Sequence, residues 1–293
     1  MIIPKHVQIE TINGICTSRC TMCSIKEWRR KPHIMDNNTF KRILEWFLPH
    51  LDQIEFLSLQ GWGEPLLDKG IADKVRIAKE MGFRGVGFAS NATELDERIS
   101  RKLIEAGLDS IICGIDGAKK ETHEAIRLGT DFDGIVSNVK RFVGIRNGIG
   151  TTRVVVRFIR QQQNLSEWPA FKEFWLRELD KSYGDDILLF DIHNAAGTVE
   201  HYEEYDPNRD VDLGAPCEEL FVRIVILSDG DVAFCNADIN GFYGLGNAVE
   251  TDPIEIFNNE TFTRIRQMMN EGKIMELEHC RVCTIPRSRA LKA

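Results

Sequence analysis

No run of apolar residues in this chain approaches the length that spans a bilayer, and the N-terminus lacks the basic, apolar and small-residue succession of a secretory leader. Those absences lead to the expectation of a cytoplasmic protein with no membrane partner. Basic charge is also short. The 37 Lys and Arg stand against 45 Asp and Glu, for a net charge of −8. Binding along a nucleic-acid backbone needs a basic surface, so no nucleic-acid partner is expected. Internal repeats and low-complexity segments are missing too. What is present is a 293-residue chain with 43% hydrophobic residues, enough for one large domain or a large and a small one. It carries eight cysteines. In a cytoplasmic protein these argue for metal ligation rather than disulfides.

Strand-like and helix-like segments alternate over the first two-thirds of the chain. The strand candidates are HVQIETI from His6, QIEFLSLQG from Gln53, GVGFASNAT from Gly85, DSIICGIDG from Asp109, TRVVVRFIR from Thr152 and DILLFDIHN from Asp186. All are short, rich in Val, Ile and Phe, and bounded by Gly, Asn or Asp. Helical patterns fall between them. One follows a candidate N-cap at Asp36, two end at Gly82 and Gly107, and one starts at Trp168. Six βα units predict an α/β fold with a parallel sheet, either a partial (β/α)6 barrel or a doubly wound sheet. In both, ligands bind at the carboxyl ends of the strands.

The pattern changes after Asn194. A polar, acidic stretch reads as a linker or long loop, and FVRIVILSDGDVAFC reads as a hairpin turning at Asp229-Gly230. A helical pattern follows near Phe262. This tail is small enough to need a metal staple.

Cys16, Cys20 and Cys23 form a C-x3-C-x2-C run directly after the first strand. Three thiolates leave one iron of a four-iron cubane without a protein ligand, and an open site is what permits chemistry on a bound molecule. A zinc site completed by His33 is the alternative. Gly61-Trp62-Gly63-Glu64-Pro65 closes the second strand, where glycines let a ligand approach the backbone. Four more cysteines, Cys217, Cys235, Cys280 and Cys283, make a closed set suited to zinc or to a [4Fe–4S] cluster.

The CxxxCxxC loop and the GxGEP run together resemble the radical S-adenosylmethionine (radical SAM) superfamily. The tail, with C-x17-C, the Leu245-Gly246-Asn247 stretch and C-x2-C, resembles its twitch domain, a shortened SPASM extension. The resemblance implies a partial TIM-like (β/α)6 barrel over residues 1–200. A β-hairpin/helix iron–sulfur domain is then expected over 201–293. It further implies a [4Fe–4S] cluster on Cys16, Cys20 and Cys23 whose open iron chelates SAM, and one auxiliary [4Fe–4S] cluster on the four tail cysteines. SAM contacts are implied for the Gly61–Glu64 run, for Asn91 at the end of the third strand, and for Asp116 after the fourth. Met22 stands where many members carry an aromatic that packs on adenine. Gly114 stands where the family has a serine in S-x-D-G, which puts a hydroxyl contact in doubt. Trp62 is as well explained by packing, Asn91 by a turn and Asp116-Gly117 by a strand ending.

The implied chemistry is reductive cleavage of SAM to a 5′-deoxyadenosyl radical that takes hydrogen from a substrate C–H. A flavodoxin- or ferredoxin-type reductant is the implied partner. Oxidation would follow if the substrate radical lost a proton and an electron, and epimerisation if a thiol quenched it. Cys113 is the one cysteine outside both sets. Strand alternation turns it from the barrel interior if Gly114 points inward, so core packing is its plainer role, and oxidation is favoured slightly. Arg157 or Arg160 on the fifth strand is a candidate to orient the substrate, although ion pairing is the plainer role for either. The resemblance is nearest to dehydrogenases and epimerases of polyols and amino sugars. Glu200, Glu203, Glu204 and Asp206 could meet such a cation, though a solvated loop explains them as well. A peptide-modifying enzyme and a zinc-stabilised binding protein are the alternatives.

Overall fold

The computed structural model describes residues 1–199 and 217–284. Six strands follow one another, β1 His6–Ile9, β2 Phe56–Ser58, β3 Val86–Ser90, β4 Ser110–Gly114, β5 Arg153–Arg160 and β6 Asp186–Asp191. Two more belong to the tail, β7 Arg223–Ile226 and β8 Val232–Ala233. The sheet order is β6-β5-β4-β3-β2-β1-β7-β8, with every pair parallel except β7 with β8. A doubly wound sheet reverses its strand order at a switch point. Here β1 to β6 run in unbroken sequence, which is barrel-like winding, so the partial-barrel expectation holds.

Helices α1 Asn37–Glu45, α2 Ile71–Glu80, α3 Glu97–Glu105, α4 Lys120–Ile126, α5 Phe132–Ile149 and α6 Trp168–Glu178 lie between the strands. Local chemistry sets their ends. The Asp36 carboxylate accepts from the Asn38 and Thr39 amides at 2.9 and 3.0 Å, two of the donors a helix start leaves unpaired. Gly82 and Gly107 take φ of +98° and +87° just past α2 and α3, a conformation that costs glycine little. Helices α4 and α5 were not among the sequence-based helices, because the loop Arg127–Thr130 interrupts their apolar pattern.

Side chains alternate along each strand. Val7, Leu57, Ile111, Val156 and Phe158 are buried in the core shared with the helices. Phe158 packs edge-on against Phe171 of α6, with ring centroids 4.8 Å apart.

In the tail the hairpin turns at Gly230, as its sequence predicts, and Val225, Leu227 and Ala233 form a small apolar cluster of their own. β7 pairs in parallel with β1, His6 opposite Arg223. Ile224 and Ile226, with Phe257 and Phe262 from α7 Pro253–Phe257 and α8 Glu260–Asn270, join the same apolar cluster as the barrel. Strand pairing and apolar packing both tie this segment to the barrel. The expected boundary at residues 200 and 201 lies outside the described residues, as do the four acidic positions from Glu200 to Asp206.

His123 in α4 is fully buried beside Phe132, and its Nδ1 accepts from the Asp116 amide at 3.2 Å. Burial, then the Arg127 charge, pushes it down to about 4 from 6.5. Between those values the unfolded chain binds the proton and the folded chain does not, so stability falls as pH drops through that window. The loss attributable to His123 is roughly 3 kcal/mol at 1.36 kcal/mol per pKa unit. Urea midpoints at about pH 7 and about pH 4.5 should therefore separate less in His123→Gln than in the wild type.

Candidate active site and metal centres

The loop carrying Cys16, Cys20 and Cys23 leaves the carboxyl end of β1 and is stitched down on both sides. Arg19–Cys20 pairs antiparallel with Arg127–Leu128, and Ile12–Asn13 pairs with His33–Ile34. The Ser18 hydroxyl lies 3.5 Å from Cys16 Sγ and 3.4 Å from Cys20 Sγ, bracketing the two sulfurs. Asn91 Nδ2 donates to Cys16 Sγ at 3.7 Å and to Thr17 Oγ1 at 2.8 Å, and Arg127 Nη1 donates to Cys20 Sγ at 3.8 Å. Donors directed at sulfur suit thiolates that carry cluster charge. His33 is exposed, and no carboxylate stands among these sulfur contacts. The set therefore fits a cluster with three protein ligands. Met22 is half-buried beside it.

The Gly61–Pro65 turn fits against the same loop. A Cβ on Gly63 would stand 2.6 Å from the Ile12 carbonyl oxygen, and one on Gly61 would collide with Glu10 Cγ. Glycine is required at both by this close approach. The Trp62 carbonyl accepts from the Gly14 amide and the Glu64 amide donates to the Ile15 carbonyl, both at 2.9 Å. Glu64, one of the implied SAM contacts, is buried, and its carboxylate accepts from Leu66 N at 3.1 Å, Ser90 Oγ at 2.7 Å and Asn91 N at 2.8 Å. Burial raises its pKa. Glu64 thus fixes the end of β3, and through Asn91 the cysteine loop.

Asp116 is likewise internal. It accepts from Ile159 N and from Arg127 Nε, each at 2.7 Å, and is fully buried. Its role is to hold Arg127 against Cys20. The Gly114 departure now has a cause: a Cβ there would lie 2.6 Å from Arg127 Nη2. The guanidinium fills the space that a serine side chain would need.

Sequence reasoning missed the hub beneath this arrangement. Glu10, at the end of β1, is fully buried and accepts from Arg30 Nη2 at 2.7 and 2.9 Å, from Trp62 N at 3.0 Å and from Ser228 N at 2.9 Å. Arg30 also donates to the Ile239 carbonyl at 2.9 Å and to Asn13 Oδ1 at 3.2 Å. One ion pair thereby joins the cysteine loop, the glycine-rich turn and the tail hairpin. The only available signal was a carboxylate inside an apolar strand.

Cys217, Cys235, Cys280 and Cys283 line one apolar void with Leu220, Phe234 and Met269 among its walls. Burial, followed by the charges of Cys283 and Cys217, pushes the Cys280 thiol up to about 12, so the thiols lie within electrostatic reach of one another. The Ala237 amide donates to Cys235 Sγ at 3.4 Å. Among the described residues no three His, Cys, Asp or Glu side chains converge as a single ion requires. Four thiols spread around one void match a cluster in ligand number and ligand type.

A cavity of about 430 Å³ opens inside the barrel. Its walls include Gln8, Ser58, Gln60, Ser110, Arg157 and Asn236. Glu219 and Asn236 line both this cavity and the four-cysteine void, so the two share a wall. Cys113 is turned the other way. Ser110 and Ile112 of β4 face the cavity, whereas Cys113 is fully buried in the helix-side core, and burial pushes its thiol up to about 12. As a hydrogen-atom donor to a molecule in the cavity it is misplaced. Of the two arginines, Arg160 pairs with Asp191 at 2.7 Å as expected, whereas Arg157 faces the cavity and its Nε has no partner.

Comparison with known proteins agrees with this geometry. A radical SAM superfamily model matches residues 11–159, and an iron–sulfur cluster-binding domain, SPASM, matches residues 217–284. A tungsten-containing aldehyde ferredoxin oxidoreductase cofactor-modifying protein from Pyrococcus furiosus is 26% identical over 175 residues, covering 59% of this chain and 48% of that protein. The match therefore spans about half that relative's length. BtrN, solved with AdoMet and 2-DOIA, superposes with a TM-score of 0.66 at 19% identity over 96% of this chain and 93% of its own. Streptococcus suis SuiB, solved with the precursor peptide SuiA, gives 0.74 at 14% identity over 98% of this chain and 71% of its own. These likenesses establish the fold; SAM and a [4Fe–4S] cluster come with the first domain, and auxiliary iron–sulfur ligation with the second. The chain belongs to the radical SAM superfamily.

Proposed function

We propose that this chain is a radical SAM dehydrogenase of a small polyol or sugar-type molecule held in the barrel cavity. When bound, the cluster and SAM supply a 5′-deoxyadenosyl radical that removes a hydrogen atom from the substrate. Cys16, Cys20 and Cys23 hold that cluster in this reading, and Cys217, Cys235, Cys280 and Cys283 hold an auxiliary one. Residues 1–200 form the barrel unit and 201–293 the auxiliary unit. A flavodoxin- or ferredoxin-type protein is the reductant.

One observation carries oxidation over epimerisation. The cavity shares Glu219 and Asn236 with the four-cysteine void, while no cysteine is among the cavity's described walls. An electron acceptor is adjacent and a thiol donor is not. The residues around the cavity supply polar contacts for hydroxyl groups through Gln8, Ser58, Gln60 and Ser110.

The test is anaerobic turnover in deuterated water with a panel of polyols, amino sugars, sugar phosphates and short peptides. A product two hydrogens poorer than the substrate, formed equally by Cys113→Ala, is the expected result. An epimer bearing solvent deuterium, lost in Cys113→Ala, would replace oxidation by epimerisation. Turnover of peptides alone would replace the substrate class.

A further inference from the structure

Of four arginines around the barrel, three have found an anion. Arg127 is paired with Asp116, Arg160 with Asp191 and Arg223 with Glu219, each at 2.7 Å. Arg157 is the exception. It lies on β5 directly opposite Gly114 of β4, with Val156 and Phe158 on either side buried in the opposite face. Its guanidinium therefore enters the cavity. The Nε is buried with no hydrogen-bond partner, and no hydrogen bond or ion pair to its other nitrogens is found among the described residues.

A buried Nε without an acceptor is costly, and the five donors of a guanidinium, in a fixed fork, match a carboxylate or phosphate. The carboxylates that share the cavity wall do not serve it, since Asp191 and Glu219 are held by Arg160 and Arg223. Asp116, a buried carboxylate that acts on it electrostatically, gives both oxygens to Ile159 N and Arg127. Across the cavity the unmet group has the opposite character: Asn236 Oδ1 is a buried acceptor with no donor.

We propose that Arg157 is an anion anchor, so that the substrate is a molecule carrying a carboxylate or phosphate at one end and a hydroxyl or amine donor for Asn236 at the other. This rests on the reading of the cavity as the substrate site. It specifies that reading further, because a neutral or purely cationic polyol would leave Arg157 unmatched. Arg157 acts by positioning the substrate. Seated opposite Gly114, beside Arg127 and Cys20, an anchored anion brings its adjoining carbons to the SAM end of the barrel.

The experiment measures binding without turnover. Anaerobically reconstituted protein is dialysed to equilibrium against labelled inorganic phosphate and, separately, labelled acetate, with and without SAM. The wild type should retain about one anion per chain, Arg157→Gln should bind at least roughly tenfold more weakly, and Arg157→Lys should fall between, as expected for a charge-assisted fork. Arg101→Gln, exposed on α3 and away from the cavity, should bind as the wild type does. Preference for phosphate or for acetate identifies which anion the substrate bears. No binding by the wild type, or unchanged binding by Arg157→Gln with normal iron content, overturns the proposal. Displacement of the anion by SAM, with weaker SAM binding in both Arg157 variants, overturns it in favour of a SAM contact. Because SAM cleavage is not read here, failure of the anchor is separable from failure of the dehydrogenase reading.

Discussion

Cys235→Ala should leave the protein folded, able to cleave SAM, and unable to complete substrate oxidation. The fold part follows from the tail's attachment, since β7 pairs with β1 and its apolar residues join the barrel core. The iron part follows from ligand count. Two four-iron clusters give about eight irons per chain in the wild type, and removing one of four auxiliary ligands should bring the variant toward about four. The chemical part follows from the shared wall of Glu219 and Asn236. Without an adjacent acceptor, the substrate radical formed after hydrogen abstraction has no route for its second electron. 5′-Deoxyadenosine should still form, while oxidised product should fall by several orders of magnitude relative to it. Iron analysis and product ratios on the same sample check this. Retention of full oxidation with half the iron would remove the auxiliary centre from the mechanism.

The second large effect is expected at Arg30. Arg30→Met leaves the Glu10 carboxylate fully buried with two amide donors and no cation. Breaking one side of a buried pair typically costs roughly 3–5 kcal/mol. The same carboxylate positions the Trp62 amide, and Arg30 reaches the Ile239 carbonyl in the tail. The loss should therefore appear in two readouts, a lower denaturation midpoint and weaker SAM binding. Glu10→Gln combined with Arg30→Met should recover part of the stability, because no charge is then stranded. That coupling is what a double-mutant cycle reports. Equal losses in single and double variants would show that the pair is not the joint described here.

The parts of this molecule that were legible in its sequence are those written in short windows. The six barrel strands show as apolar runs of a few residues between turn formers. The helix caps at Asp36, Gly82 and Gly107 sit where their chemistry demands, and the cysteine spacings are local by nature. The parts that were hidden depend on residues far apart in the chain. Glu10 meets Ser228, and Arg30 meets Ile239, across some two hundred positions. Neither motif nor periodicity reports such a meeting.

Glu64 shows a different limit. The motif that contains it was visible, but the direction of its carboxylate was not, because Ser90 and Asn91 compete for it from another strand. Gly114 was visible as a departure from pattern, and its reason required Arg127 to be seen filling the same space. Arg157 and Arg160 looked alike as neighbours on β5. Asp191 on β6 pairs with only one of them, and the other is left facing the cavity.

The central claim is that three thiolates, and not four, hold a cluster whose remaining iron takes SAM. It is tested most directly by reducing the anaerobically reconstituted protein in the presence of SAM and measuring 5′-deoxyadenosine and methionine. Equimolar release of the two by the wild type is predicted. Complete loss is predicted in Cys20→Ala while the four tail cysteines still retain about four irons. Unchanged release in Cys20→Ala, or a wild-type protein that takes up zinc alone and cleaves no SAM, would contradict it.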